Sequence, residues 1–368
     1  MKRIAYLTPL YFSDESVVGG GERYPLNLAV GVAESGEGFE VELVSYGPRA
    51  FRRELHPGVS LRVLPLAHPP RHPLDPVSWD LPDAVADADL VHVMQAFTRA
   101  SEVAFVAAKV YGKPLCVTDL GGTSSTVGIT TGALDLVDRV VCYSEFGAAM
   151  LRTSAPVVVI KGGVDARAFR PPERPPPRDR VLFVGRLLPH KGIDLLVRAL
   201  PPELPLTVCG RPYNPRYLEL LKELSAGKQV EFVTDATDTT LRGLYARSWA
   251  TVLPSQYKDC YGQVYPAPEL MGLTLLESMS CGTPVACSRV GAMPEFVRHG
   301  ETGFVFDTPE DLTAQLRRLA GEPGLADRLG RAARQAVEEE YDLRACGVRL
   351  AAVYRELLTG RAAHGRAS

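Results

Sequence analysis

The sequence predicts an α/β protein of two domains, each a parallel sheet wrapped by crossover helices. Three observations carry this. Short β-branched runs alternate with helical patterns from one end of the 368 residues to the other. That length suffices for two ordinary cores. The pattern is broken once, by RPPERPPPRDR at 170–180, which holds five prolines among charges and no core residue. Such a stretch reads as a stiff, extended linker. It divides an N-terminal domain, 1–172, from a C-terminal domain, 173–341.

Composition narrows the function classes. The chain is 46% hydrophobic and 23% charged, as globular proteins are, and a net charge of −2 argues against non-specific nucleic-acid binding. Its seven cysteines contain no CxxC pair. An odd, unpatterned set fits reduced thiols rather than a disulfide frame or a zinc site, so a cytoplasmic protein is expected. The opening MKRIAYLTPLYF has an apolar run too short for a signal segment and reads as a first buried strand. No stretch has the length of a transmembrane helix, although a peripheral membrane contact stays open.

Taken in order, the first-half strands are expected at 4–8, 41–46, 61–66, 90–94, 115–119, 140–144 and 157–160. The second half restarts with 181–184, 206–209, 230–233, 250–253, 285–288 and 303–306. Thr308-Pro309-Glu310-Asp311 is an N-cap signal for the helix after the last strand. A final helix at about 342–360 carries Leu350, Tyr354, Leu357 and Leu358 on one face, so it must dock on something.

The segment PELMGLTLLESMSCGTPV, within 254–306, holds the most chemistry. Gly272 precedes a helical run at 273–280, leaving the first backbone N–H groups, those of Leu273 and Thr274, open to an anion. Glu269 and Glu277 flank that point; eight residues of helix rise about 12 Å, so the two acids would touch different parts of one ligand. A ligand anionic in its middle and rich in hydroxyls at both ends, such as a nucleoside diphosphate sugar, has this shape. Isolated glutamates are ordinarily solvated. Glu277, however, sits between LTLL and SMSCGTPVAC, too apolar a setting for an unpartnered carboxylate.

Other strand ends offer further candidates. In VLFVGRLLPHKG, Gly185 closes a strand and Arg186 and Lys191 follow it, two cations where α/β sheets bind ligands. His190 reads as structural. Gly19, Gly20 and Gly21 precede a helix beginning near Glu22 and would let backbone amides approach a phosphate. Gly210 and the loop 234–238, with Thr234, could line a nucleobase pocket. Residues 257–268, rich in Tyr and Pro, look like an inserted lid or acceptor-side loop. Asp119, at a strand end before Gly121 and Gly122, is a better site candidate than His92, which reads as a satisfied core histidine.

Together GGGER, FVGRLLPHKG, IKGGVDARAF, LYARSWATVLPS, ELMGLTLLESMSCGTPV and GAMPEFVRHGETGFVF resemble the family-4 retaining glycosyltransferases of the GT-B fold. The resemblance covers nearly the whole chain and is strongest over 181–306. It implies two Rossmann-like domains facing across a cleft, the second holding the donor, with the last helix returning to the first domain. It implies transfer of a sugar from a nucleoside diphosphate donor, UDP or GDP, to a hydroxyl acceptor that is lipid, polysaccharide or small molecule. Carried over by position, Glu277 would hold the ribose and Glu269 the transferred sugar. Arg186 and Lys191 would neutralise the diphosphate, aided by the amides of Gly20, Gly21, Leu273 and Thr274. Such enzymes work without a metal, and retention is ascribed to front-face attack with no carboxylate nucleophile. A nucleotide-sugar 2-epimerase and a non-catalytic nucleotide-sugar binding protein are the competing readings. The chain departs from the family in having Thr118 where many relatives have histidine, Val233-Thr234-Asp235 over the base, and a longer segment at 256–267.

Overall fold

A computed structural model describes residues 1–9, 20–121, 124, 125 and 127–364 of the protein. Gly19 and Gly122 of the expected glycine loops lie outside these residues. Two compact units are formed, one by Met1–Gly163 with Leu343–Ser368 and the other by Val164–Asp342.

The first unit is built on β1 (Lys2–Leu7), β2 (Phe39–Gly47), β3 (Phe51–His56), β4 (Val59–Pro65), β5 (Leu90–Val93), β6 (Leu115–Thr118), β7 (Arg139–Cys142) and β8 (Val157–Val159). They form one eight-stranded sheet in the order β3-β4-β2-β1-β5-β6-β7-β8. All pairs are parallel except β3 on β4. The central strands read as near-continuous apolar runs because helices cover both faces. Those helices are α1 (Gly20–Ala33), α2 (Leu81–Ala86), α3 (Arg99–Val110), α4 (Val127–Thr130) and α5 (Glu145–Met150). Strand β3 was not expected. Its sequence, FRRELH, alternates half-buried and charged positions, as befits an antiparallel edge strand with one face in water.

The second unit carries β9 (Arg180–Val184), β10 (Leu206–Cys209), β11 (Val230–Val233), β12 (Ser248–Leu253), β13 (Val285–Ser288) and β14 (Gly303–Phe306). These six strands are parallel, ordered β11-β10-β9-β12-β13-β14. Around them lie α6 (Ile193–Ala199), α7 (Pro215–Leu224), α8 (Asp238–Ala246), α9 (Leu273–Ser280), α10 (Pro309–Gly321) and α11 (Leu325–Ala336). The expected cap of α10 is a full capping box, with Thr308 accepting from the Asp311 N–H and Asp311 accepting from the Thr308 N–H.

The proline-rich stretch at 170–180 corrects the linker reading. It lies inside the second unit, and the division falls at Gly163/Val164. Its Arg178 donates to the carbonyls of Ser248 and Gly282, to Thr283 Oγ1 at 3.2 Å and to Asp327 at 2.9 Å. One guanidinium thus ties the stretch to three elements at the amino-terminal edge of the sheet.

The C-terminal helix, Leu343–His364, does return to the first unit and packs on α1. Glycines permit the close crossing. A Cβ added to Gly31 would lie 2.1 Å from the Leu343 carbonyl oxygen, and one on Gly347 2.1 Å from the Gly31 carbonyl oxygen. Leu350 and Tyr354 are fully buried there. Tyr354 Oη donates to Tyr6 Oη at 2.7 Å and meets His92 Nδ1, whose Nε2 lies 2.8 Å from Thr118 Oγ1. His92 is therefore a satisfied core residue, and burial holds its imidazole down at about 3, neutral at physiological pH.

Candidate active site

In the second unit, the carboxyl end of the parallel sheet is where the loops after β9, β10 and β12 gather polar groups. After β9, Gly185 and Arg186 lead into a short 3-10 turn, Pro189–Lys191, closed by Gly192. This turn aims Lys191 at Glu269. The ammonium is 2.6 Å from Glu269 Oε2, with the two side chains only 14% and 12% exposed. Two candidates 78 positions apart in sequence are thus one charge-assisted hydrogen bond. A pair this sheltered is held more tightly than a surface ion pair.

The backbone of Glu269 is fixed independently of its side chain. Its carbonyl accepts from the Ala292 N–H at 3.0 Å, and the preceding Gly291 comes so close that a Cβ there would sit 2.1 Å from the same oxygen. Gly291 has a φ of +57°, which glycine adopts without strain. The motif GAMPEF is therefore a cradle for Glu269, a role that its sequence alone does not reveal.

Gly272 caps α9 at φ +86°, and Leu275 donates to its carbonyl at 2.9 Å. The amides of Leu273 and Thr274 precede that bond, so neither has an acceptor within the helix. One turn further on, Glu277 is 3% exposed and its Oε2 accepts from Tyr245 Oη at 2.9 Å. The partner that its apolar setting demands is supplied by α8. Tyr245 went unnoticed in sequence as a site residue; the cue was the tyrosine in LYARS, an aromatic hydroxyl buried between aliphatic neighbours.

The remaining candidates divide. Arg186 is exposed beside the turn, and among the described residues its guanidinium has no hydrogen-bond partner. Thr234 is exposed at the end of β11. Gly210 has a plain packing reason: a Cβ would lie 1.8 Å from the Gly185 carbonyl oxygen, while its N–H donates to the Val233 carbonyl at 2.8 Å. Gly185 and Gly210 thus let β9 and β10 end side by side. His190 is half-buried, its ring 4.6 Å from that of Tyr265. Burial, then the nearby Lys191 and Arg186, push its imidazole down to about 4.

Gly20, Gly21 and Asp119 belong to the first unit. Gly20 and Gly21 open α1. Asp119 follows β6, its Oδ1 accepting from the Ala96 N–H at 3.3 Å, and burial pushes its carboxyl up to about 6. Among the described residues no cluster of three His, Cys, Asp or Glu could hold a metal ion, and no helix is long and apolar enough to cross a membrane.

Residues 18–168 match the family described as Glycosyltransferase Family 4, and residues 165–336 match Glycosyl transferases group 1. The chain is 33% identical over 214 residues to a glycogen synthase of Mycobacterium tuberculosis, covering 54% of this chain and 48% of that protein. It is 34% identical over 208 residues to a GDP-mannose-dependent alpha-(1-6)-phosphatidylinositol monomannoside mannosyltransferase of Mycolicibacterium smegmatis, covering 54% and 52%. The chain therefore spans about half the length of the curated relatives it matches. Among solved structures, a sucrose-phosphate synthase from Thermosynechococcus elongatus aligns with a TM-score of 0.75 at 22% identity, over 98% of this chain and 100% of that one. HepE of Anabaena, in complex with UDP and glucose, gives 0.72 at 17% identity, over 97% and 100%. These likenesses make the two parallel-sheet units a GT-B fold. With family matches running from residue 18 to residue 336, the chain belongs to the family-4 glycosyltransferases.

Proposed function

We propose that the protein transfers a sugar, with retention and without a divalent ion, from a nucleoside diphosphate sugar to a hydroxyl acceptor. The observation that carries this reading is the Lys191–Glu269 pair beside the open amides of α9, with Glu277 held one turn further on. Lys191 neutralises charge on the departing diphosphate while Glu269 grips hydroxyls of the sugar. Arg186 and the α9 amides add to the positive field at the leaving oxygen. Glu277, oriented by Tyr245, takes the ribose hydroxyls. This arrangement supplies the electrostatic help that a metal gives elsewhere.

In the step itself the bond from the anomeric carbon to the diphosphate oxygen breaks, and its electron pair leaves with the diphosphate. The acceptor oxygen bonds to that carbon from the same face, and its proton passes to the departing phosphate oxygen. Glu269, already engaged by Lys191, is not needed as a nucleophile. Two carboxylates in one short segment around an anion site also differ from a glycosidase pair, which flanks the scissile bond.

In this reading the second unit binds the donor and the first the acceptor, with Gly20, Gly21 and Asp119 as the first unit's candidate residues. UDP and GDP both remain donors to test, since HepE was solved with UDP and the mycobacterial relative is GDP-mannose-dependent by name. The test is thermal: UDP or GDP should raise the melting temperature, and Glu277→Ala should abolish the rise. No rise with either nucleotide would refute the reading. Product analysis without acceptor separates transfer from 2-epimerisation, because an epimerase would form the epimeric nucleotide sugar with no acceptor present.

A further inference from the structure

The segment at 256–267, longer than the family pattern requires, is a folded hairpin rather than an open loop. Lys258 and Val264 form an antiparallel bridge, Tyr265 N–H donates to the Tyr257 carbonyl at 2.7 Å, and Asp259 N–H to the Gln263 carbonyl at 2.9 Å. The organiser is Asp259, which is buried. Its Oδ1 accepts from the N–H groups of Tyr261 and Gln263 at 2.9 and 3.0 Å, and its Oδ2 accepts from Tyr265 Oη at 3.2 Å.

From this hairpin two tyrosines reach the surroundings of the Lys191–Glu269 pair, one toward the neighbour of the cation and one toward the cradle of the carboxylate. Tyr265 lays its ring 4.6 Å from that of His190, the residue before Lys191. At the start of the segment, Gln256 N–H donates to the His190 carbonyl at 2.9 Å. Tyr257 Oη accepts from the Gly291 N–H at 3.0 Å. Gly291 and Ala292 are the residues that cradle the Glu269 carbonyl. One small element thus touches the neighbour of the cation and the cradle of the carboxylate.

We propose that this hairpin is a clamp that sets the Lys191–Glu269 geometry, with Tyr257, Asp259 and Tyr265 acting as positioning residues for the transfer step. The inference rests on the glycosyltransferase reading for its link to turnover, and on geometry alone for the clamp. The clamp's contacts run to His190 and Gly291, which flank the Lys191–Glu269 pair, so it acts on the reacting centre and leaves nucleoside binding alone. It also covers His190. The charged and titratable groups facing that imidazole are Lys191 and Arg186, which oppose its protonation, and Glu269 and Asp259, which favour it.

The experiment compares Tyr265→Ala, Tyr265→Phe and Tyr257→Phe with the wild type, each checked for folding by circular dichroism. Donor consumption is followed with UDP- and GDP-hexoses, nucleotide affinity with UDP and GDP, and the His190 imidazole by NMR, assigned with His190→Gln. Tyr265→Ala and Tyr257→Phe should each lower kcat about 10-fold, with nucleotide affinity unchanged within about twofold. Tyr265→Phe, which keeps the ring, should retain turnover. In Tyr265→Ala the His190 pKa should climb from about 4 toward its ordinary value of about 6.5. A folded Tyr265→Ala with wild-type kcat, or with kcat and nucleotide affinity falling together, would overturn the clamp. If the wild type binds neither nucleotide, the glycosyltransferase reading fails, and the titration alone decides: an unmoved His190 then overturns the clamp.

Discussion

The two units have the same kind of sheet yet place their buried polar groups differently. In the first unit, Tyr6, His92, Thr118 and Tyr354 form a chain of hydrogen bonds sealed inside, and its product is attachment of the C-terminal helix. In the second unit, Lys191 pairs with Glu269 after β9, at the carboxyl edge, and Glu277 bonds Tyr245 deeper within the unit, hydrogen bonds for which a ligand competes on the proposed reading. The first set is neutral and internally complete. The second is charged and sheltered, which on the proposed reading makes it responsive to a bound anion. A buried polar network is therefore not by itself a site; its position on the sheet and its charge decide.

That contrast can be broken by mutation. The largest effect is expected from Gly347→Leu, whose side chain would enter the Gly31 backbone. Overpacking costs about 1–3 kcal/mol even where neighbours yield; here the obstacle is main chain, so urea denaturation should show a loss at the upper end or no folded protein. Next is Lys191→Ala, which should lower kcat/KM for donor consumption by about 100-fold or more, far beyond any effect of the lower melting temperature that comes from leaving Glu269 without its cation. Tyr354→Phe should do the reverse. It leaves Tyr6 and His92 without their shared partner, costing about 1–3 kcal/mol in chemical denaturation, with nucleotide affinity unaltered. If Tyr354→Phe weakened UDP or GDP binding as strongly as it weakened the fold, the division of roles would be wrong.

The smallest effect sharpens the comparison, because Asp119 is a charged group at the edge of the neutral unit. Its folded pKa is about 6, above the unfolded value of about 3.9. The folded state therefore binds more protons than the unfolded state between these values, and stability falls as pH rises through that window. Asp119→Asn removes this cost. The variant should be more stable than the wild type above pH 6 by about 1 kcal/mol, discounting for partial exposure. The difference should vanish as pH drops toward 4, a crossover visible in melting curves across pH. An unchanged difference at all pH values would assign the effect to packing instead.

Much of this was legible in sequence because parallel strands buried on both faces announce themselves. The expected runs 206–209, 230–233, 285–288 and 303–306 coincide with β10, β11, β13 and β14. Strand β3 escaped because FRRELH is half solvated and pairs at an edge, where side-chain pattern is weak. The linker was misread because proline content reports stiffness, while anchorage by Arg178 depends on carbonyls from distant elements. For the candidate site, charge and spacing single out Lys191, Glu269 and Glu277. They could not find Tyr245, Gly291 or Asp259, whose importance lies in what they touch. Gly31 and Gly347 read as poor helix formers, since nothing local tells that two backbones meet there.

Val164 and Asp342, the ends of the second unit, are bridged side by side as a parallel pair. Everything between them can finish folding as a closed loop while the ribosome still holds the remaining chain. The earlier-made unit must wait for residues 343–364 before Leu350 and Tyr354 fill its core. Birth order and completion order are thus inverted. Released chains truncated after residue 342 should yield a protease-resistant second unit and a digestible first.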